Sequence, residues 1–149
     1  MKKTKDLVKL ALKIARKAHN GQFRHDNKTT YITHPIAVAK AVKAYFPKIY
    51  LGDVEPLVCA AYLHDVIEDT KLKRIDLLGT ALPFQVIDLV CILTKGENQN
   101  YLEYLLKIKE NNLARIVKIE DIKHNLGTLD PKKKTQRDKY LLALYILEH

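Results

Sequence analysis

A chain of 149 residues, 47% hydrophobic and 29% charged, has the size and balance of one domain with a buried core of its own. Its apolar runs are too short to span a bilayer, and the charged opening stretch MKKTKDLVKLALKIARKAHN excludes a signal peptide. A formal charge of +9 favours anionic partners such as nucleic acid, acidic lipid or phosphorylated small molecules.

Helical periodicity runs through nearly every segment, and no strand-like alternation persists. The first helix is expected from Thr4 to Asn20, with Leu7, Leu10, Ala11, Ile14, Ala15 and Ala18 on its apolar face, Thr4 as cap and Gly21 closing its end. A long polar loop, GQFRHDNKTTYIT, follows, of a kind that is often functional. HPIAVAKAVKAYF restarts a helix, with Pro35 in the first turn where its missing N–H costs nothing.

The third helix is expected from Asp53 to Asp69, and a short helical turn at KRIDLLG leads to the helix that begins at Pro83. NYLEYLLKIKE, NLARIVKIEDIKHNL and KKKTQRDKYLLALYILEH complete an all-α, single compact helical bundle of about eight helices, one domain over residues 1–149. Gly96, Asn111–Asn112 and Asp130–Pro131 mark turns rather than linkers. Cys59 and Cys91 sit in apolar helical patterns without metal-type spacing, as expected of small buried residues in a reduced, cytosolic protein. The lysines are dispersed, clustering only at Lys2–Lys3 and Lys132–Lys134. No arginine stripe, RNA-binding aromatic motif or helix-turn-helix cue accompanies them, which leaves nucleic acid unsupported.

Against this background HDVIEDT, residues 64–70, stands out. Leu57, Ala60, Ala61, His64 and Glu68 follow steps of three and four, and Val58, Ala61, Asp65 and Asp69 form the adjoining stripe. The polar groups thus continue an inward apolar arc, and carboxylates placed there need a cation, a hydrogen-bond network or water. Ala114, Val117, Asp121 and Asn125 carry a second carboxylate and an amide inward, and His34 begins the second helix. Each taken singly is an ordinary structural group. Together His34, His64, Asp65 and Asp121 suit a divalent metal such as Mn²⁺, Fe²⁺ or Co²⁺, while structural zinc lacks its thiolates and calcium its oxygens. Glu68 and Asp69, one turn on, are then free to move protons or orient water.

The motifs GQFR, YITHP, HDVIEDT, LTK and VKIEDIKHN, in this order, resemble those of HD-domain phosphohydrolases. More narrowly, they resemble the hydrolase domain of the RelA/SpoT alarmone family and its free-standing small hydrolases. The resemblance spans roughly Ala18 to Asn125. It implies an all-α fold of the HD-domain type and one metal, usually Mn²⁺, on His34, His64, Asp65 and Asp121. It also implies removal of the 3′-pyrophosphate of guanosine tetra- or pentaphosphate, with Glu68 and Asp69 activating water, Arg24 contacting the nucleotide, and Asn125 near metal or ribose. No synthetase domain is expected within these residues, so any activity should be hydrolytic only.

The substrate loop departs from the family pattern, with Thr30 where a proline is usual and His25, Asp26 and Asn27 in place of a glycine-containing stretch; Glu120 replaces a small residue before Asp121. Lys28, Lys95 and His25 are candidates for phosphate contact. Two alternatives stay open: an HD phosphohydrolase of another nucleotide or pyrophosphorylated metabolite, and a non-catalytic nucleotide- or metal-binding module.

Overall fold

The computed structural model describes residues 2–45 and 54–149. The expected end of the second helix at Phe46 and start of the third at Asp53 lie outside these residues. The described residues form α1 (Lys2–Ala18), α2 (Thr33–Tyr45), α3 (Glu55–Leu63), α4 (Val66–Asp69), α5 (Arg74–Leu78), α6 (Phe84–Leu93), α7 (Tyr101–Glu110), α8 (Asn112–Thr128) and α9 (Lys134–Glu148). No strand is formed among them, only an isolated antiparallel bridge between Phe23 and Thr30, so the all-α expectation holds.

α3 is apolar on nearly every side, and such a helix has to be surrounded. Leu57, Val58, Cys59, Ala60, Ala61 and Leu63 are all buried, and α1, α2, α6 and α8 pack around them. Ala11 and Ala15 on α1 and Ala39 on α2 are also fully enclosed, so small side chains let these helices approach closely. Each buried Leu or Ile contributes about 1.5–3 kcal/mol, and truncating Leu57 to alanine would cost about 2–5 kcal/mol. Asparagines fix two starts: Asn100 accepts from the Glu103 N–H, and Asn111 from those of Leu113 and Ala114. No described helix is long and apolar enough to cross a membrane.

Two expectations are corrected. α1 begins at Lys2, so Thr4 lies inside the helix rather than capping it, whereas Gly21 does follow the helix in the left-handed region, with φ 79°. The helix expected over residues 53–69 breaks at His64–Asp65. The Ala61 carbonyl accepts from the His64 ring at 2.7 Å, a side-chain bond that competes with the helical ladder, and Asp65 takes φ −102°, ψ −3°.

Candidate metal centre

α2 and α8 pack on α3 and on each other, and this brings residues 34, 64–65 and 121 to one point. His34 comes from the first turn of α2, His64 and Asp65 from the break after α3, and Asp121 from the middle of α8. His34 Nε2 lies 2.8 Å from Asp121 Oδ1 and 3.6 Å from Asp65 Oδ2. His64 Nε2 lies 3.0 Å from Asp65 Oδ2 and 3.4 Å from Asp121 Oδ1. His34, His64 and Asp121 are buried and Asp65 is half-buried.

The electrostatics of the cluster follow from this crowding. Burial alone would lower the His64 imidazole, but the Asp65 and Asp121 carboxylates beside it hold it well above its ordinary value. Burial would raise Asp65, yet the His64 ring brings it down to about 2. Asp121, opposed in the same way by burial, is kept well below the usual carboxylate range by Lys118 and His64. Lys118 Nζ sits 2.7 Å from Asp121 Oδ2, so the two Asp121 oxygens are divided between a lysine and the imidazoles.

A ring of further contacts frames the centre. The Tyr31 hydroxyl donates to Asp65 Oδ2 at 2.6 Å and lies 3.0 Å from Asp69 Oδ2. His19 leans against Tyr31 with centroids 4.7 Å apart and rings inclined by 33°, and its Nδ1 meets Gln22 Oε1 at 2.8 Å, while Gln22 Nε2 donates to the Asp69 carbonyl. Crowding by protein atoms and the nearby Asp65 charge push the Asp69 carboxyl up to about 6. Glu68 Oε1 accepts from the Lys95 backbone N–H at 2.7 Å. Arg24 is buried, and its Nη2 donates to Asn125 Oδ1 at 2.9 Å and Thr128 Oγ1 at 3.0 Å; Asn125 Nδ2 in turn donates to Asp121 Oδ1.

His34, His64, Asp65 and Asp121 therefore meet, with Asn125 and Arg24 linked to them in series. Glu68 and Asp69 depart from expectation: beyond the break, on α4, they are exposed and do not continue the buried arc. Lys28 stands exposed on the same loop as Arg24, and among the described contacts only its backbone N–H is engaged, on Asp26 Oδ1. Sequence reasoning missed Tyr31, Lys118 and His124. The last two lie three residues before and after Asp121, on its own helical face, and Tyr31 lies one turn before His34.

The donor set fits a divalent metal on one particular observation. His64 Nδ1 is occupied by the Ala61 carbonyl, which fixes the ring so that Nε2 faces the two carboxylates, and Nε2 is buried without a hydrogen-bond partner. Ligand atoms of His34, His64 and Asp65 lie within 4.8 Å of one another, and Asp121 Oδ1 adjoins both rings. Imidazole nitrogen and carboxylate oxygen without thiolate suit first-row divalent ions.

Known proteins share this arrangement of chain. A Haemophilus influenzae protein named guanosine-3′,5′-bis(diphosphate) 3′-pyrophosphohydrolase is 34% identical over 146 residues, covering 89% of this chain and 20% of that protein. The Escherichia coli bifunctional (p)ppGpp synthase/hydrolase SpoT is 32% identical over 152 aligned positions, covering 93% of this chain and again 20% of the relative. This chain thus spans about a fifth of the length of these curated relatives. A solved structure, described as a metazoan ortholog of SpoT that hydrolyzes ppGpp, superposes with a TM-score of 0.74 at 26% identity, over 95% of this chain and 83% of that one. The family model described as HD domain matches residues 11–138, from within α1 into α9 and around every residue of the centre. Having both that match and the histidine–aspartate cluster at its core, the chain belongs to the HD domain family.

Proposed function

We propose that the chain is a single-domain, metal-dependent phosphohydrolase of the cytoplasm whose substrate is guanosine 3′,5′-bis(diphosphate), hydrolysed to GDP and pyrophosphate. The observation that carries this reading is the pairing of a largely buried two-histidine, two-aspartate centre with two exposed carboxylates on the short helix that follows His64 and Asp65. The names of the relatives support the substrate. His34, His64, Asp65 and Asp121 would hold the ion, with Mn²⁺ the best match to the resemblance.

Such an ion supplies positive charge to a phosphoryl oxygen and acidifies water. The rest falls to the protein's own groups. Glu68, held by the Lys95 N–H, and Asp69, held beside Tyr31, are the carboxylates that would receive a proton leaving the attacking water. Water adds to the phosphorus next to the 3′ oxygen, that P–O bond breaks, and the sugar oxygen leaves as a hydroxyl after taking a proton. An Asp69 carboxyl titrating near 6 can both accept and return protons around neutrality. Arg24, braced by Asn125 and Thr128 and lying 5.7 Å from the centre of the Tyr31 ring, is the cation that would meet an anionic nucleotide.

The test is pyrophosphate release from guanosine tetraphosphate by the purified protein with Mn²⁺, alongside GTP, deoxynucleoside triphosphates and the Glu68→Gln variant. Rapid Mn²⁺-dependent formation of GDP, absent in the variant, is expected. Cleavage of a different nucleotide alone would keep the centre and change the substrate. Failure to turn over any of them would favour a binding module.

A further inference from the structure

The two imidazoles of the centre are held differently at their outer nitrogens. His64 Nδ1 meets a backbone carbonyl, which can only accept, so Nδ1 carries a proton and Nε2 is the nitrogen left to offer a lone pair to a metal when the ring is neutral. His34 Nδ1 instead meets another imidazole: it lies 2.7 Å from His124 Nδ1, with the rings 4.9 Å apart and inclined by 34°. A bond between two ring nitrogens needs a proton on one and a lone pair on the other. His124 can supply either, so the direction of this bond is not set by the backbone.

We propose that His124 is the positioning residue for His34, and that the hydrogen bond between them reverses when a divalent metal binds. This rests on the metal reading given above. Without metal, His34 Nε2–H can donate to Asp121 Oδ1 at 2.8 Å, and His124 Nδ1–H then donates to His34 Nδ1. To offer Nε2 to a metal, neutral His34 must carry its proton on Nδ1. The acceptor it then meets is His124 Nδ1, which requires His124 to hold its own proton on Nε2. Both arrangements contain two protons, one per ring, so the reversal balances with no net gain or loss.

The reversal is possible because His34 is buried and His124 only half-buried: the outer nitrogen of His124 can exchange its proton when that of His34 cannot. His124 therefore does for His34 what the Ala61 carbonyl does for His64, fixing ring orientation and tautomer from outside the ligand set. The same helix supplies both partners of His34, Asp121 and His124, one turn apart on α8.

Mn²⁺ binding measured by calorimetry on the full chain, its His124→Leu and His124→Asn variants and a His64→Ala control tests this. The asparagine amide oxygen stands near the position of the His124 Nδ1 and only accepts, so His124→Asn is expected to bind within a few-fold of the parent. His124→Leu is expected to lose about 10–100-fold, the usual effect of removing an outer partner of a metal-bound histidine. Long-range ¹H–¹⁵N spectra of the parent, metal-free and with diamagnetic Zn²⁺, are expected to move the His34 proton from Nε2 to Nδ1. That readout needs no variant to fold. Parent-like binding by His124→Leu, equal losses in both variants, or a His34 proton already on Nδ1 without metal would overturn the proposal. A parent binding no better than His64→Ala would instead overturn the metal reading beneath it.

Discussion

Arg24 and Asn125, 101 residues apart in the chain, are joined by a 2.9 Å hydrogen bond that ties the α1–α2 loop to the helix carrying Asp121. Asn125 Nδ2 continues the link to Asp121 Oδ1 at 3.0 Å, so the loop is connected to the metal centre through a single amide. Arg24→Lys keeps the charge but loses the planar fork that reaches Asn125 and Thr128 together. The expected outcome is a KM raised about tenfold or more, roughly 1.4 kcal/mol or above, with Mn²⁺ affinity little changed. An unaltered KM in steady-state kinetics would remove Arg24 from substrate binding.

Glu68 and His64 separate chemistry from metal retention. His64 Nε2 faces both carboxylates, whereas Glu68 is exposed and anchored by the Lys95 backbone N–H, which a glutamine oxygen could equally engage. His64→Ala is expected to lose metal and turnover together. Glu68→Gln is expected to retain metal while turnover falls by about 10²–10⁴-fold. Metal analysis combined with single-turnover kinetics distinguishes the two, and a Glu68→Gln enzyme as fast as the parent would exclude the carboxylate from proton transfer.

The helices and three of the four centre residues were legible in the sequence as patterns of one period. His64, Asp65 and Asp121 sit on faces that the 3.6-residue repeat identifies, whereas His34 is marked only by its place at the start of the second helix and by its combination with the other three. The orientation of Glu68 and Asp69 was not legible, since it follows from a side-chain bond: the His64 ring takes the Ala61 carbonyl and the helix stops. Local periodicity carries no record of such competition. Tyr31, Lys118 and His124 were invisible for another reason. Each acts through one partner in the tertiary fold, Asp65, Asp121 and His34 respectively, and on its own helix or loop each looks like ordinary surface chemistry.

Asp69 gives a stability signature with a definite sign. Its carboxyl titrates at about 6 in the folded protein, raised first by crowding and then by Asp65, against about 3.9 for an unfolded aspartate. Between these values the folded chain binds more protons than the unfolded one, so this group makes stability fall as pH rises from about 4 to 6. Below that window both states are protonated and the cost is absent; above it the cost is complete. Asp69→Asn, in metal-free protein, is therefore expected to melt higher than the parent by a few degrees at pH 7 and to converge with it near pH 4. Melting curves across this range check it, and a difference independent of pH would contradict the assignment.

Lys118 meets Asp121 at 2.7 Å in a largely enclosed pocket, with its Nζ 5.3 Å from the centre of the Tyr104 ring. Burial alone would lower this amine, but Asp121 holds it well above its ordinary value, so it stays charged throughout the working range. Lys118→Met leaves the Asp121 Oδ2 without that cation, and an uncompensated buried charge costs about 3–5 kcal/mol. In a domain of this size the melting temperature should fall by roughly 10 °C without metal. A metal held against Asp121 would supply part of the missing charge, so by linkage saturating Mn²⁺ should stabilise the variant more than the parent and narrow the gap. The measurement is paired denaturation with and without Mn²⁺. A loss below about 1 kcal/mol would place the pair among exposed ion pairs of little consequence. A gap that Mn²⁺ leaves unchanged would mean that the ion does not lie against Asp121.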